Sequence, residues 1–285
     1  MTVPEKTIPT VSSTGKSVGK MLGKYTLVES VAGALVVVAL YLLIIMKLLP
    51  SFMMNRKPFV MKRVLLVYNA LQVLFSGYVL YVYGDYVLRY SFFPKNCPHI
   101  NRQYYPMVLY NCSLYFIAKH VDLLDTVFFR LRKKDNQVSF LHVYHHSIMV
   151  IWAWICYLYL PSDHYVLIGA MNSFVHVIMY SYYGISSLGP QYTKYLWWKK
   201  HLTKIQLVQF VLALTTTYFQ QKLSPCPMPD FVQNFFMFAL ISFFVLFMDF
   251  YLRSYRNKRS TEAIKSNGNG VNNLQGYVSE RKSKI

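Results

Sequence analysis

Three of the chain's eight histidines stand within five residues, His142-Val-Tyr-His145-His146. At steps of three and four, a helix carries all three imidazoles on one face. Histidine shuttles protons near neutral pH, accepts acyl groups and ligates metals, so such a face suits acid–base, nucleophilic or metal chemistry. The run lies inside an apolar stretch, Val138 to Leu160, that is long enough to span a bilayer. Polar groups at membrane depth are costly unless partnered, so by default they mark function. A single histidine there would more simply bridge helices by hydrogen bonds.

The elements that must position this cluster read as apolar segments of about 20 residues: Leu27–Leu49, Val64–Tyr83, Met107–Leu131, Val138–Leu160, His164–Ser187, Leu202–Gln220 and Phe231–Leu252. The sixth is the weakest, interrupted by Lys204, Gln206, Gln209 and three successive threonines. The chain is 54% hydrophobic and 14% charged, whereas a soluble domain carries about a quarter charged residues. These features predict an all-α integral membrane protein with seven transmembrane helices. An N-terminal arm (1–26) precedes one helical domain (27–252) and a basic tail (253–285) follows. The arm lacks an apolar core, so no cleavable signal peptide is expected ahead of the first span. From Ser260 the tail is rich in Ser, Asn and Gly and reads as disordered.

Charge sets the orientation. Thirty Lys/Arg against eleven Asp/Glu give a net +19. One set of loops holds Arg56, Lys57, Lys62 and Arg63, then Arg130 to Lys134, then Lys194, Lys199 and Lys200, then the tail. The opposite loops hold Arg89, Lys95, Arg102 and Lys222, and the arm adds four lysines to that side. The richer loops are expected in the cytosol, with the N-terminus lumenal and the C-terminus cytosolic. Topology accounts for most of the basic excess, and no nucleic-acid module or partner is expected. A second use for the basic loops is an anionic, phosphate-bearing substrate at the cytosolic face.

Cys97 and Cys226 fall in two lumenal loops, a disulfide-permissive side, and are predicted to pair. Cys112 and Cys156 lie within spans, and no CxxC or Cys/His metal spacing occurs. Asn111-Cys-Ser matches a glycosylation acceptor but sits at or inside a span, so it is expected to be unmodified.

Depth arithmetic places several unusual residues in one layer. At about 1.5 Å per residue, His142 to His146 lie roughly 6–12 Å from the cytosolic end of the fourth span, and His176 about 16 Å from that of the fifth. Lys119, Asp122 and Asp125 in the third span fall roughly 7–17 Å deep, and Thr203, Gln206 and Gln209 in the sixth within about 11 Å. Lys119, Asp122 and Thr126 share one helical face, as do Asn172, His176, Met179, Tyr180 and Tyr183. Each face alone could be helix–helix glue; the common depth points to a site. Neither span cysteine is in this layer, which argues against a cysteine nucleophile.

Three chemistries compete. A di-iron site, as in membrane desaturases, uses several histidine boxes, whereas this chain offers one box with His120 and His176. A mononuclear metal remains open, as does a transporter or receptor with a polar core. The third is acid–base and nucleophilic work by histidine.

Four motifs, in order and spacing, resemble the very-long-chain fatty acid elongases, the microsomal condensing enzymes. They are Lys119-His-Val-Asp-Leu-Leu-Asp125-Thr126, Gln137-Val-Ser-Phe-Leu-His142-Val-Tyr-His145-His146, Asn172-Ser-Phe-Val-His176-Val-Ile-Met-Tyr180-Ser-Tyr182-Tyr183 and Thr203-Lys-Ile-Gln206-Leu-Val-Gln209. The likeness runs from the second span to the seventh. It departs at Asp122, where that family usually carries glutamate. The resemblance implies that malonyl-CoA loses CO2 and its two carbons join a long-chain acyl-CoA, giving a 3-oxoacyl-CoA and CoA. It also implies six of seven helices enclosing an acyl tunnel. His145 is the expected nucleophile. His176 would assist, His142 and His146 would position the thioester, and Asp122 and Asp125 would orient imidazoles or lysine. Spacing alone leaves the choice of nucleophile open.

Expected substrate-binding residues are Arg132, Lys134, Lys199 and Lys200 for phosphates, with Lys119, Gln137, His142, Asn172, Tyr182, Thr203 and Gln206 along the pantetheine and thioester. No cofactor or metal is expected. The apolar spans imply the lipid bilayer as a partner; the resemblance implies other enzymes of the elongation cycle and the endoplasmic reticulum membrane as location, and a homodimer is one open possibility that the sequence does not decide. The closing Arg281-Lys-Ser-Lys-Ile departs from the usual dilysine retrieval pattern. The box and its flank look more like the polyunsaturated and very-long-chain branches.

Overall fold

The computed structural model describes residues 31–90, 92, 105–158, 162–225 and 228–256. Among these the ordered elements are helical, with no strand. Helix α1 (Val31–Leu43) runs through a π-helical turn (Ile44–Leu48) into α2 (Leu49–Met53). The turn precedes Pro50, which lacks an N–H and whose ring would crowd the carbonyl four residues back, so the widened turn is where the strain is absorbed. Arg130 takes up the Ile45 carbonyl there, Nε to O 2.9 Å.

Next come α3 (Lys62–Tyr90), α4 (Tyr105–Val121) and α5 (Leu124–Leu131), followed by α6 (Phe140–Leu158), α7 (His164–Ser187), α8 (Lys199–Leu223) and α9 (Asp230–Tyr251). Within the described residues, each of the seven apolar segments is therefore largely helical. Among the described residues, three stretches are long and apolar enough to cross a membrane by length and composition: Ala32–Met53, Lys62–Tyr90 and Asp230–Tyr255. Boundaries move where polar residues extend a helix past its apolar stretch: α3 starts at Lys62 and reaches Tyr90, and α8 starts at Lys199. The third segment is broken at Asp122-Leu123, and Tyr68 covers the Val121 carbonyl at the break, 3.3 Å away.

The packing closes on itself. Helix α3 packs on α7, α7 on α8, α8 on α9, α9 on α6, α6 on α4 and α4 on α3. Helix α1 lies against α6 outside this ring, and α2 against α5. The α3–α7 pair is antiparallel, because Asn69 lies beside Gly184 at one end and Tyr83 beside Gly169 at the other. Glycine is required at 169: a Cβ there would sit against the Tyr83 ring.

Helix α5 ends in a Schellman motif, with Lys134 N bonded to Phe129 O (2.9 Å), Lys133 N to Arg130 O (3.0 Å) and Lys133 left-handed at φ 53°. Ser139 caps α6, its hydroxyl accepting the His142 N–H at 3.2 Å. That cap starts the helix so that the histidines fall in its first two turns. The Cys97–Cys226 pair, the arm and the Ser/Asn/Gly-rich tail lie outside the described residues. Cys112 and Cys156 are buried free thiols.

Candidate active site

The site grows from the break between α4 and α5. Lys119, on the last turn of α4, places Nζ 3.0 Å from Asp122 Oδ2 and 2.9 Å from Asn172 Oδ1 on α7. Asn172 Oδ1 also accepts the Tyr115 hydroxyl at 3.3 Å, which leaves its NH2 as a free donor. The other Asp122 oxygen accepts from Gln72 Nε2 (2.9 Å) on α3 and from the Tyr180 hydroxyl (3.0 Å) on α7. Tyr180 also contacts Asp125 Oδ2 at 2.9 Å, so one hydroxyl proton serves two carboxylates. His176 Nδ1 stands 3.7 Å from Asp122 Oδ2. Lys119, Asp122, Asp125 and Tyr180 are all buried.

The histidine face of α6 meets this network from the other side. Thr126 Oγ1 lies 2.8 Å from His142 Nε2 and 2.8 Å from the Tyr41 hydroxyl, so α1, α5 and α6 are tied through one buried threonine. With Tyr41 donating, Thr126 donates to His142, whose own proton then sits on Nδ1. The His142 and His146 rings are 4.3 Å apart, and the His145 and His146 rings 5.6 Å apart. His145 turns toward α9, with its ring 4.7 Å from Phe243. Its Nδ1 is buried and has no hydrogen-bond partner among the described residues.

His145 also lines a largely apolar cavity between the helices. Met149, Trp152, Ile168, Phe210 and Phe243 form much of its wall, and Asn172 and Gln209 join His145 at the polar end. A second cavity, at one end of α3, α5 and α7, is lined by Tyr68, Asn69, Asp125, Arg132, Gln137 and Tyr183. Arg132 and Gln137 thus meet at one opening. The remaining expected substrate contacts are outside the hydrogen-bonded network: Lys134 and Lys199 are exposed, and Lys200 stands 5.7 Å over the Tyr251 ring. Tyr182 packs its ring on Trp198, Thr203 is buried, and Gln206 contacts Met179 Sδ at 3.9 Å.

Among the described residues, no group of three or more His, Cys, Asp or Glu is arranged to hold a metal ion. Four network members escape the sequence reading: Gln72, Tyr41, Tyr68 and Tyr115. Gln72 carries a usable signal, since Asn69, Gln72 and Ser76 form a buried polar stripe on an otherwise apolar helix.

Burial outside the spans marks one further group. The Asp163 carboxyl, before α7, is pushed up to about 6 by desolvation.

Comparison with known proteins matches residues 26–263 to the model of the ELO family, described as GNS1/SUR4. The chain is 38% identical over 254 residues to human very long chain fatty acid elongase 4, covering 88% of this chain and 80% of that protein. It is 36% identical over 251 residues to Drosophila melanogaster very long chain fatty acid elongase 7, covering 86% and 75%. It is 37% identical over 246 residues to Xenopus laevis very long chain fatty acid elongase 5, covering 84% and 81%.

Proposed function

We propose a condensing reaction for this chain, which belongs to the ELO (GNS1/SUR4) family: elongation of a long-chain acyl-CoA by two carbons from malonyl-CoA. The observation that carries it is the position of His145. One imidazole borders both the buried Lys–Asp–His network and the apolar cavity that would hold an acyl chain. The relatives' elongase names support the substrate class.

The reaction runs in two stages. A His145 ring nitrogen attacks the acyl thioester carbonyl, the C–S bond breaks, and CoA leaves as thiol with the imidazole's proton. An acyl-imidazole remains. Malonyl-CoA then loses CO2, and the resulting C2 carbanion attacks the acyl carbonyl. A C–C bond forms, the His145 nitrogen leaves and takes up a proton drawn from solvent through His176, and 3-oxoacyl-CoA is released. His176, turned to Asp122, stabilises the enolate oxygen or carries the proton. The Asn172 amide and Lys119 polarise the thioester carbonyl. His142 and His146 hold the box in register. The reaction as written requires no cofactor.

In this scheme seven helices span the endoplasmic reticulum membrane with the C-terminus in the cytosol. The six-helix ring encloses the acyl tunnel. CoA docks at the cytosolic opening near Arg132 and Gln137, with Lys134, Lys199, Lys200, Tyr182, Thr203 and Gln206 along its rim. A Cys97–Cys226 bridge would close the lumenal side.

The covalent stage is tested with stearoyl-CoA in the absence of malonyl-CoA. Intact-protein and peptide mass spectrometry should find one acyl adduct on the peptide carrying His145, with matching release of CoA. A protein that condenses yet never carries an adduct would replace this stage by direct attack on the thioester.

A further inference from the structure

The cavity is apolar along most of its wall but polar along one stretch of it. Asn111, Cys112 and Ser162 line it there, with Tyr83 and Gly169. Ser162 is occupied, its hydroxyl 2.7 Å from His164 Nδ1. The Asn111 backbone carbonyl is occupied as well, by the Tyr83 hydroxyl. The Asn111 side chain is not: the residue is 1% exposed, and neither Oδ1 nor Nδ2 has a hydrogen-bond partner among the described residues. Such a buried, unmet amide is costly, because each group has given up water without a replacement partner. Helix bridging does not account for it, because no side chain among the described residues of a neighbouring helix answers it.

We propose that Asn111 is a hydrogen-bonding station for a hydroxyl carried on the acyl chain. This rests on the acyl-tunnel assignment above. One hydroxyl satisfies both amide atoms: Nδ2 donates to its oxygen and Oδ1 accepts its proton. The ligand class is thus a hydroxylated long-chain acyl-CoA.

The station has a definite depth. Lys119 and Asn172 meet at 2.9 Å and mark the reacting end. Asn111 lies eight residues back along α4 from Lys119, about 12 Å. An extended chain advances about 1.2 Å per bond. The hydroxyl must therefore sit roughly ten bonds, or a few more, from the thioester carbon. 12-Hydroxystearoyl-CoA meets this and 6-hydroxystearoyl-CoA does not.

The experiment compares kcat/KM for stearoyl-, 12-hydroxystearoyl- and 6-hydroxystearoyl-CoA with malonyl-CoA, using the purified full chain. The wild type should use the 12-hydroxy chain within about threefold of stearoyl, and the 6-hydroxy chain about tenfold or more worse, because that hydroxyl would be buried unpartnered. Asn111→Leu should lower the 12-hydroxy to stearoyl ratio about tenfold and leave the 6-hydroxy to stearoyl ratio unmoved. Equal use of the two isomers by the wild type would overturn the proposal, even if the variant fails to fold. So would an unmoved 12-hydroxy ratio in a folded variant, which would assign the amide to an ordered water. Folded protein that elongates no acyl chain at all would sink the condensing function and this subsite together.

Discussion

Lys119 and Asp122 face each other one helical turn apart, Nζ to Oδ2 3.0 Å, with only 4% of each side chain exposed. At the break between α4 and α5 the carboxylate is held by groups from three helices, through Lys119, Gln72 and Tyr180.

Removing one partner from such a pair leaves a buried charge uncompensated. Lys119→Met should destabilise the fold by about 3–5 kcal/mol, whereas Lys119→Met combined with Asp122→Asn should cost less than the sum of the single changes. Asp122→Glu, which keeps the negative charge, should keep the pairing. Unfolding of the wild type, Lys119→Met, Asp122→Asn, the double variant and Asp122→Glu in one detergent measures this; strictly additive losses would mean that the two residues act independently.

The polar layer is legible in the sequence because helical steps of three and four bring Lys119, Asp122 and Thr126, or Asn172, His176 and Tyr180, onto single faces. The histidine box likewise follows from spacing. What is not legible is which helix meets which. Gln72 and Tyr41 become part of the site through the α3–α7 and α1–α6 packing, which no local pattern encodes. The break at Asp122-Leu123 has no glycine or proline to announce it, and it arises where Asp122 turns toward Gln72 and Tyr180. The loop lysines illustrate the opposite limit: their charge is plain, but Lys134 and Lys199 end on the surface.

The Tyr83–Gly169 contact makes a steric prediction. A Cβ at 169 would lie far inside contact distance of the Tyr83 ring, whose hydroxyl is anchored on the Asn111 carbonyl. Gly169→Ala should cost about 1–3 kcal/mol. Adding Tyr83→Leu should recover part of it. Wild-type thermal stability in Gly169→Ala alone would show that α3 and α7 pack less closely.

Asp163 makes a pH prediction. Its carboxyl goes from the ordinary 3.8 up to about 6 on folding. In that window the folded chain binds more proton than the unfolded one, so stability falls as pH rises from about 4 to about 6 and is then level. Asp163→Asn should be more stable than wild type at neutral pH and no different near pH 4. Melting curves at the two pH values decide it, and an equal offset at both would remove Asp163 as the cause.

Lys133 closes the Schellman motif of α5 in the left-handed region, φ 53°. Glycine adopts that conformation without a Cβ penalty, so Lys133→Gly should stabilise by up to about 1 kcal/mol. A loss of stability would mean that the lysine's contact with the Met54 carbonyl, 3.4 Å away, outweighs the backbone term.

Condensation through His145 is tested most directly by mixing purified protein with long-chain acyl-CoA and malonyl-CoA and detecting 3-oxoacyl-CoA by mass spectrometry. The wild type should give a product two carbons longer than the substrate, with CO2 and CoA released, and His145→Ala, folded and still binding acyl-CoA, should give none. Full condensation by His145→Ala would contradict the assignment of the nucleophile, and no product from folded wild type with any acyl chain would contradict the condensing function.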